Sequence, residues 1–409
     1  MIAIVELFSY GISHEEFNAG IIKQLAQAYP HSYFLFAGEE EQVTNVQRRL
    51  NDEVKRATEF YIIDELSDVY RHGKSLSDQE IYCILSRIIN KHSNISTMFF
   101  AELKSSACDA YLRIARENLN LRLFSEVHGD FDFFVQKHKF IINKMYTLNL
   151  RVLAHQLKDT VKQIRSFRAR KNELALQKEG MKKLSLCDNF NFIVFSEQYK
   201  KYREYLCDSI YSKIINIWLP YAENALEQGE ANEYKNFLKV RIGGMPSPVA
   251  DREAVFWQIV KYINAHSDKI QYGYEFVLFR RRNQNVKNVH TYSNWDDSRE
   301  NVIEFYDSVD WMLIPYSENR YSLSASGISY DALYMCVPQF MYTSNCFADL
   351  LRFDVGIRGT SIEDLGEKII EAINFYGKNS RCSFRNNCLN AQQQMNDSNI
   401  LKFKQLELE

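Results

Sequence analysis

Four small residues, Ser324-Ala325-Ser326-Gly327, stand between an apolar run and a helical repeat, and they are the chain's clearest opportunity for chemistry. Trp311-Met312-Leu313-Ile314 has the pattern of a buried strand, which Pro315 closes by removing the next N–H donor. After a polar loop, Ile328, Ala332, Leu333 and Met335 recur at helical spacing. A helix that begins at Ser326-Gly327 leaves several N–H groups without intrahelical partners at the positive end of its dipole, which suits an anion. Gly327 lets such a group approach the backbone. Asp331, one turn on, can accept hydrogen bonds from a ribose diol. The same residues could equally serve as an ordinary helix cap.

The elements that must position this stretch repeat a β-α logic along the chain. Ile2 to Phe8 reads as a strand, followed by a loop with Gly11, His14 and Glu15, a helix from Phe17 to Tyr29 and a strand from Tyr33 to Ala37. His14 and Glu15 also fit the polar first turn of a helix. Further strands are expected at 60–63, 97–103 and 121–127, the last running into His128-Gly129, where an open α/β sheet binds ligands. A strand at 190–195 and a helix through Leu206 follow, then a connector over 216–236. A second series begins with a strand at 237–242 that empties into Gly243-Gly244-Met245-Pro246-Ser247-Pro248, with a helix behind it from Asp251 to Ile263. Strands at 274–279, 289–293 and 339–343 are expected, with a loop over 349–356, a helix from Ile362 to Tyr376 capped by Ser361, and a polar helical tail.

The order helix, Asp-strand-Pro-Tyr, polar loop, Ser-Gly, helix with an acid, Val-Pro resembles the donor-binding half of GT-B glycosyltransferases, in particular glycosyltransferase family 4. The resemblance implies that the backbone at Ser324, Ser326, Gly327 and Ile328 holds a nucleotide diphosphate and that Asp331 holds the ribose. FSEVHGD resembles the strand-His-Gly of these enzymes and gives His128 a place beside the transferred sugar. The first loop, with Gly11, His14 and Glu15, is implied to line the acceptor side. Gly243 and Gly244 would admit the diphosphate or donor sugar, or else form a tight βα turn. The cation against the leaving phosphates is assigned to Arg252 or to one of the Arg280–Arg282 trio, among them Arg280 and Arg282. Tyr292 lies on the strand and loop that would meet the base. Leu323 stands where retaining members carry the first of two glutamates, so retention, the family expectation, is open here.

Composition narrows the class. At 409 residues, 46% hydrophobic and 25% charged, the chain suits two globular domains, and it contains no apolar run long enough for a membrane span. The amino terminus lacks the basic region of a signal peptide, and eight scattered cysteines without a CxxC pair indicate neither zinc nor a disulfide framework, so the cytosol is expected. Asp130-Phe131-Asp132 could hold a divalent cation on a diphosphate, but that leaves the second α/β half unexplained, and no metal site is assigned. Residues 133–183 carry thirteen Lys or Arg against three acids in a chain of net charge −2. Their apolar spacing makes a basic amphipathic helix, suited to an anionic membrane surface, to its own domain or to a second subunit in a homodimer. Nucleic acid is not expected.

The expected architecture is α/β, GT-B, with two Rossmann-like domains facing across a cleft and a basic helical insertion in the first. The domains are expected at 1–220 and 237–378, with the tail at 379–409 crossing back. The expected function is metal-independent transfer of a sugar from a nucleotide-sugar, as substrate and with no cofactor, to a carbohydrate or lipid-linked oligosaccharide acceptor. Bacterial surface polysaccharide synthesis at the inner face of the plasma membrane is the expected setting. A nucleotide-sugar epimerase and a scaffold without catalysis are the alternatives.

Overall fold

The computed structural model describes residues 1–11, 13–127, 168–169, 171–222, 239–245, 251–279, 285–292, 298–316, 325–344 and 347–408. Most of the basic segment 133–183 and the acidic pair Asp130 and Asp132 lie outside the described residues.

Two wholly parallel sheets form the frame. The first holds β1 (Ile2–Val5), β2 (Phe34–Gly38), β3 (Thr58–Ile62), β4 (Thr97–Phe100), β5 (Arg122–Glu126), β6 (Phe190–Val194) and β7 (Ile214–Asn216), in the order β3-β2-β1-β4-β5-β6-β7. The second holds β8 (Val240–Gly244), β9 (Tyr274–Leu278), β10 (Val289–Thr291), β11 (Trp311–Ile314), β12 (Gln339–Met341) and β13 (Gly356–Arg358), in the order β10-β9-β8-β11-β12-β13. Helices cover both faces of such sheets, so their central strands are apolar throughout: every residue of β1, β4 and β11 is buried.

Two differences from the sequence reading have physical causes. The strand expected at 237–242 lies at 240–244, so Gly243 and Gly244 belong to the ladder, paired with Met312 and Leu313 of β11. The segment expected to be a loop over 349–356 contains the helix Ala348–Leu351 and delivers β13, a half-buried edge strand whose Gly-Ile-Arg has no apolar run to announce it.

In each sheet the strand order reverses once, between β1 and β4 and between β8 and β11. The crevice beyond the carboxyl ends at such a switch point is where open α/β sheets take their ligands. Here the two crevices face each other.

Three ties hold them so. The connector after β7 is clamped to the helix Glu15–Ala28, where Lys23 Nζ donates to Ala222 O at 2.6 Å and a Cβ on Gly20 would come within 2.7 Å of Tyr221 N. The terminal helix Ser380–Gln405 crosses back along that same first helix. Its Asn399 amide donates to Gln24 Oε1 at 2.9 Å and to Trp218 O at 2.8 Å, while Asn399 Oδ1 accepts from Trp218 N at 2.7 Å. The third tie is the buried carboxylate of Asp349, which accepts from Ser196 Oγ at 2.7 Å, Glu197 N at 3.0 Å and Gln198 Nε2 at 2.7 Å.

Candidate functional site: a cleft between two switch points

The helix Gly327–Tyr334 starts where β11 and its loop end, and its first turn is moored from several sides. Ser326 is its N-cap, with Oγ accepting from Ser329 N at 3.3 Å and donating to Tyr316 Oη at 3.2 Å. Ser329 Oγ and O in turn bond the Gln339 side chain on β12. Tyr221 Oη donates to Gly327 O at 3.2 Å, and Tyr306 Oη to Ile328 O at 3.0 Å. With Ser329 N capped by the chain itself, the amides of Gly327 and Ile328 are the two of this turn with no acceptor among the described residues.

The three candidate glycines of the second half differ in what surrounds them. Among the described residues a Cβ on Gly327 would meet only Tyr221 Oη, at 4.0 Å. A Cβ on Gly244 would fall 2.5 Å from Phe256 Cε2, and one on Gly243 would lie 3.1 Å from Met312 Sδ and Val309. Gly243 and Gly244 therefore let the helix Asp251–Ala265 and the neighbouring side chains close onto β8.

Asp331 lies on the cleft wall as its spacing requires, but its carboxylate is engaged. Arg299 Nη1 donates to Asp331 Oδ1 at 2.6 Å, and Arg299 Nε reaches across the cleft to Glu16 Oε1 at 3.4 Å. Glu16 also meets Arg49 Nε at 3.1 Å, while Arg49 Nη2 reaches Glu15 at 2.9 Å and returns across the cleft to Glu300 at 3.3 Å. Burial opposes charge on Arg299, yet Asp331 and Glu16 outweigh it and hold the guanidinium firmly protonated. Burial raises the Glu15 carboxyl above its ordinary range, against the pull of Arg49. The Arg299 guanidinium also lies over the Tyr221 ring, 5.7 Å from its centroid.

On the opposite wall, His14 is a non-glycine residue with φ 62° immediately before the first helix, a left-handed turn that costs about 1 kcal/mol. That turn sends the ring back toward the end of β1. Its Nδ1 lies 2.9 Å from Ser9 Oγ and 3.5 Å from Glu6 Oε2. Glu6 is wholly buried, and its carboxylate accepts from Phe8 N at 2.9 Å, Ser9 N at 3.0 Å and Asn18 Nδ2 at 3.3 Å. Burial alone would raise Glu6, but His14 and these donors bring it below its usual value. Burial alone would lower His14, and the Glu6 carboxylate carries it above its ordinary value. Beside them, Glu102 pairs with Lys104 and is raised by burial, and buried Glu126 at the end of β5 is raised well above its usual range.

The cleft between these walls is a cavity of about 560 Å³ lined by residues of both halves, including His14, Glu15, Phe17, Tyr221, Gly327 and Asp331. Gly11, with φ 59°, faces Glu41 outside this lining and serves the turn itself. Tyr292 is buried in a core cluster against Phe279 and Phe305, beneath the wall rather than on it. Arg252 falls in the first turn of its helix, with its side chain outside the described structure, and His128, Arg280, Arg282, Leu323 and Ser324 lie outside the described residues.

Arg299, Glu16 and Tyr221 on the cleft lining, with Arg49 and Glu6 paired behind it, are candidate site residues that the sequence reading passed over. Arg299 left one signal: a cation directly after the cap Ser298, where the helix dipole disfavours positive charge. Glu6 left another, as an acid set directly against the all-apolar run of β1.

No protein-family model matches the chain, and no curated protein matches it. Solved structures do. OtsA aligns with a TM-score of 0.57 at 8% identity over 100% of this chain and 99% of its own. WaaG, a glycosyltransferase involved in lipopolysaccharide biosynthesis, aligns at 0.53 and 11% over 100% and 98%. Os79 from O. sativa, in complex with UDP, aligns at 0.51 and 10% over 100% of both chains. The chain therefore has a GT-B fold, with two parallel sheets of 7 and 6 strands facing across a cleft.

Proposed function

We propose that the protein is a glycosyltransferase that moves a sugar from a nucleotide-sugar to a hydroxyl of a carbohydrate or lipid-linked carbohydrate. The observation that carries this reading is the pairing of walls. The helix start at Gly327 and Ile328, whose amides have no acceptor among the described residues, stands at a cleft lined by Gly327 on one wall and by His14, backed by a buried acid, on the other.

In the reaction, the bond from the sugar's anomeric carbon to the diphosphate oxygen breaks, and the electron pair leaves with the nucleoside diphosphate. The Gly327 and Ile328 amides stabilise the charge that gathers there, and Asp331, oriented by Arg299, receives the ribose hydroxyls. The acceptor oxygen forms the new bond to the anomeric carbon and its proton passes to His14, which Glu6 orients and supports as a cation. A base of this kind favours inversion over the retention that the family resemblance implies. No step in this scheme calls for a metal.

The charge of residues 133–183 supports an acceptor held at an anionic membrane surface, as in bacterial surface polysaccharide synthesis on the cytoplasmic face, or a homodimer contact. Incubation with UDP-, GDP-, CMP- and TDP-sugars and candidate acceptors tests the reading: transfer with formation of the nucleotide product is expected. Stabilisation by nucleotides without any turnover would instead favour a binding scaffold. One observation speaks for that second reading: the cleft arginines Arg49 and Arg299 are already balanced by acids.

A further inference from the structure

Acids of the cleft already occupy the arginines that a nucleotide's phosphates would seek. Among the described residues, Glu15, Glu16, Glu300 and Asp331 meet Arg49 and Arg299 in one chain of contacts, of which Glu15, Glu16, Arg299 and Asp331 line the cavity. A nucleoside diphosphate brings further negative charge to this place. Among the described residues the cleft arginines already have acid partners, so a phosphate reaches one of them where a carboxylate gives way.

The geometry says which. Arg299 holds Asp331 at 2.6 Å, a short charge-assisted bond within its own half of the molecule, whereas its contact with Glu16 in the other half is 3.4 Å, beyond ordinary hydrogen-bond length. Asp331 is thus the nearer partner of Arg299, and Glu16 the more distant one. Arg299 also stands beside Tyr221, whose hydroxyl bonds Gly327 O, so the guanidinium borders the helix start where the two unclaimed amides lie.

We infer that Arg299 is the phosphate-binding cation of the cleft and that Glu16 is a built-in stand-in for the donor's diphosphate, occupying the second side of the guanidinium until the nucleotide replaces it. This rests on the reading of the cleft as a nucleotide site and adds the residue that meets the phosphates. Exchange of Glu16 for phosphate keeps Arg299 paired at every stage, which avoids leaving a desolvated cation uncompensated. It also cuts one of the ion pairs that join the two halves among the described residues, Glu16 with Arg299, beside which Arg49–Glu300 remains, so donor arrival and loosening of the two halves become a single event.

Calorimetric titration of the full chain with UDP and with GDP tests this. Glu16→Gln removes the competing charge and is expected to tighten the better-bound nucleotide about five- to tenfold. Arg299→Gln is expected to weaken it tenfold or more, and thermal unfolding confirms that each variant is folded. Glu300→Gln breaks the other crossing pair without touching Arg299 and is expected to leave affinity within about twofold of wild type. Unchanged or weaker binding by Glu16→Gln, or equal tightening by Glu300→Gln, overturns the stand-in while leaving the nucleotide site intact. Absence of binding by the wild type and every variant overturns both.

Discussion

The imidazole of His14 sits 3.5 Å from the carboxylate of Glu6, and that carboxylate is wholly buried under the loop that carries the histidine. A base placed this way has its protonation set by its neighbour. Glu6 outweighs burial and raises His14 above the ordinary histidine value, so transfer is expected to increase with pH through a titration above about 6.5. In Glu6→Gln that limb is expected to move to lower pH, and kcat/KM above it to fall by about ten- to hundredfold as orientation is lost. An initial-rate profile from pH 5 to 9 reads both, and a limb that stays in place would remove Glu6 from this role. The pair also works on stability from both sides: the His14 contribution is complete below the unfolded histidine value and disappears as pH rises through the folded one, while that of Glu6, whose carboxyl is lowered, is lost as pH falls through its folded value.

Gly244 and Gly327 separate packing from binding. Gly244→Ala drives a methyl group into Phe256 and is expected to cost about 1–3 kcal/mol in urea unfolding, with nucleotide affinity retained in the folded fraction. Gly327→Ala enters open space on the first turn of a helix and is expected to leave stability within about 0.5 kcal/mol while weakening nucleotide binding several-fold. Thermal melts together with calorimetry show whether the two effects divide in this way.

Asp349 gathers three donors from the opposite half in a buried setting. Replacing it with alanine strands Ser196 Oγ, Gln198 Nε2 and the Glu197 amide at once. The expected loss is about 3 kcal/mol, visible in the unfolding midpoint. A change under about 0.5 kcal/mol would mean that the tie contributes nothing.

Asp310 gives a second pH signature, away from the cleft. Burial pushes its carboxyl up to about 6, although Oδ2 accepts from Arg241 N at 2.7 Å. The folded state therefore keeps a proton that the unfolded chain has released. Its contribution is whole below the unfolded value near 4 and is lost as pH rises through 6. Relative to Asp310→Asn, the wild type is expected to lose about 2 kcal/mol between pH 4 and 7 in paired denaturant titrations, and parallel curves would refute it.

Much of the frame could be read directly because it is built from local signals. Trp311–Ile314 is a strand because four apolar residues end at a proline, and Ile362–Tyr376 is a helix because Ser361 caps it and acids fill its first turn. The helix start at Ser326-Gly327 was visible for the same reason. What one sequence conceals is partnership at a distance. Asp331 fits a ribose by its spacing, and nothing near it says that Arg299 already holds it. Gly243-Gly244 reads as a loop, and nothing near it says that Phe256 lies against Gly244. The terminal helix reads as a polar tail because its buried face mixes Phe384, Met395 and Phe403 with buried Ser380, Gln392 and Asn399.

That terminal helix has a consequence for how the molecule is made. Phe403 and Leu408 complete the cluster around Ile2, Ile4, Phe34 and Phe99, Phe403 stands edge-on to Phe99 at 6.3 Å, and Leu408 O accepts from Thr97 Oγ1 at 3.0 Å. The first half to leave the ribosome thus lacks part of its own interior until residues 403–408 have followed it out. Its hydrophobic floor waits, uncovered, through the synthesis of the entire second half, so a nascent chain halted before residue 400 should require a chaperone that the finished protein does not.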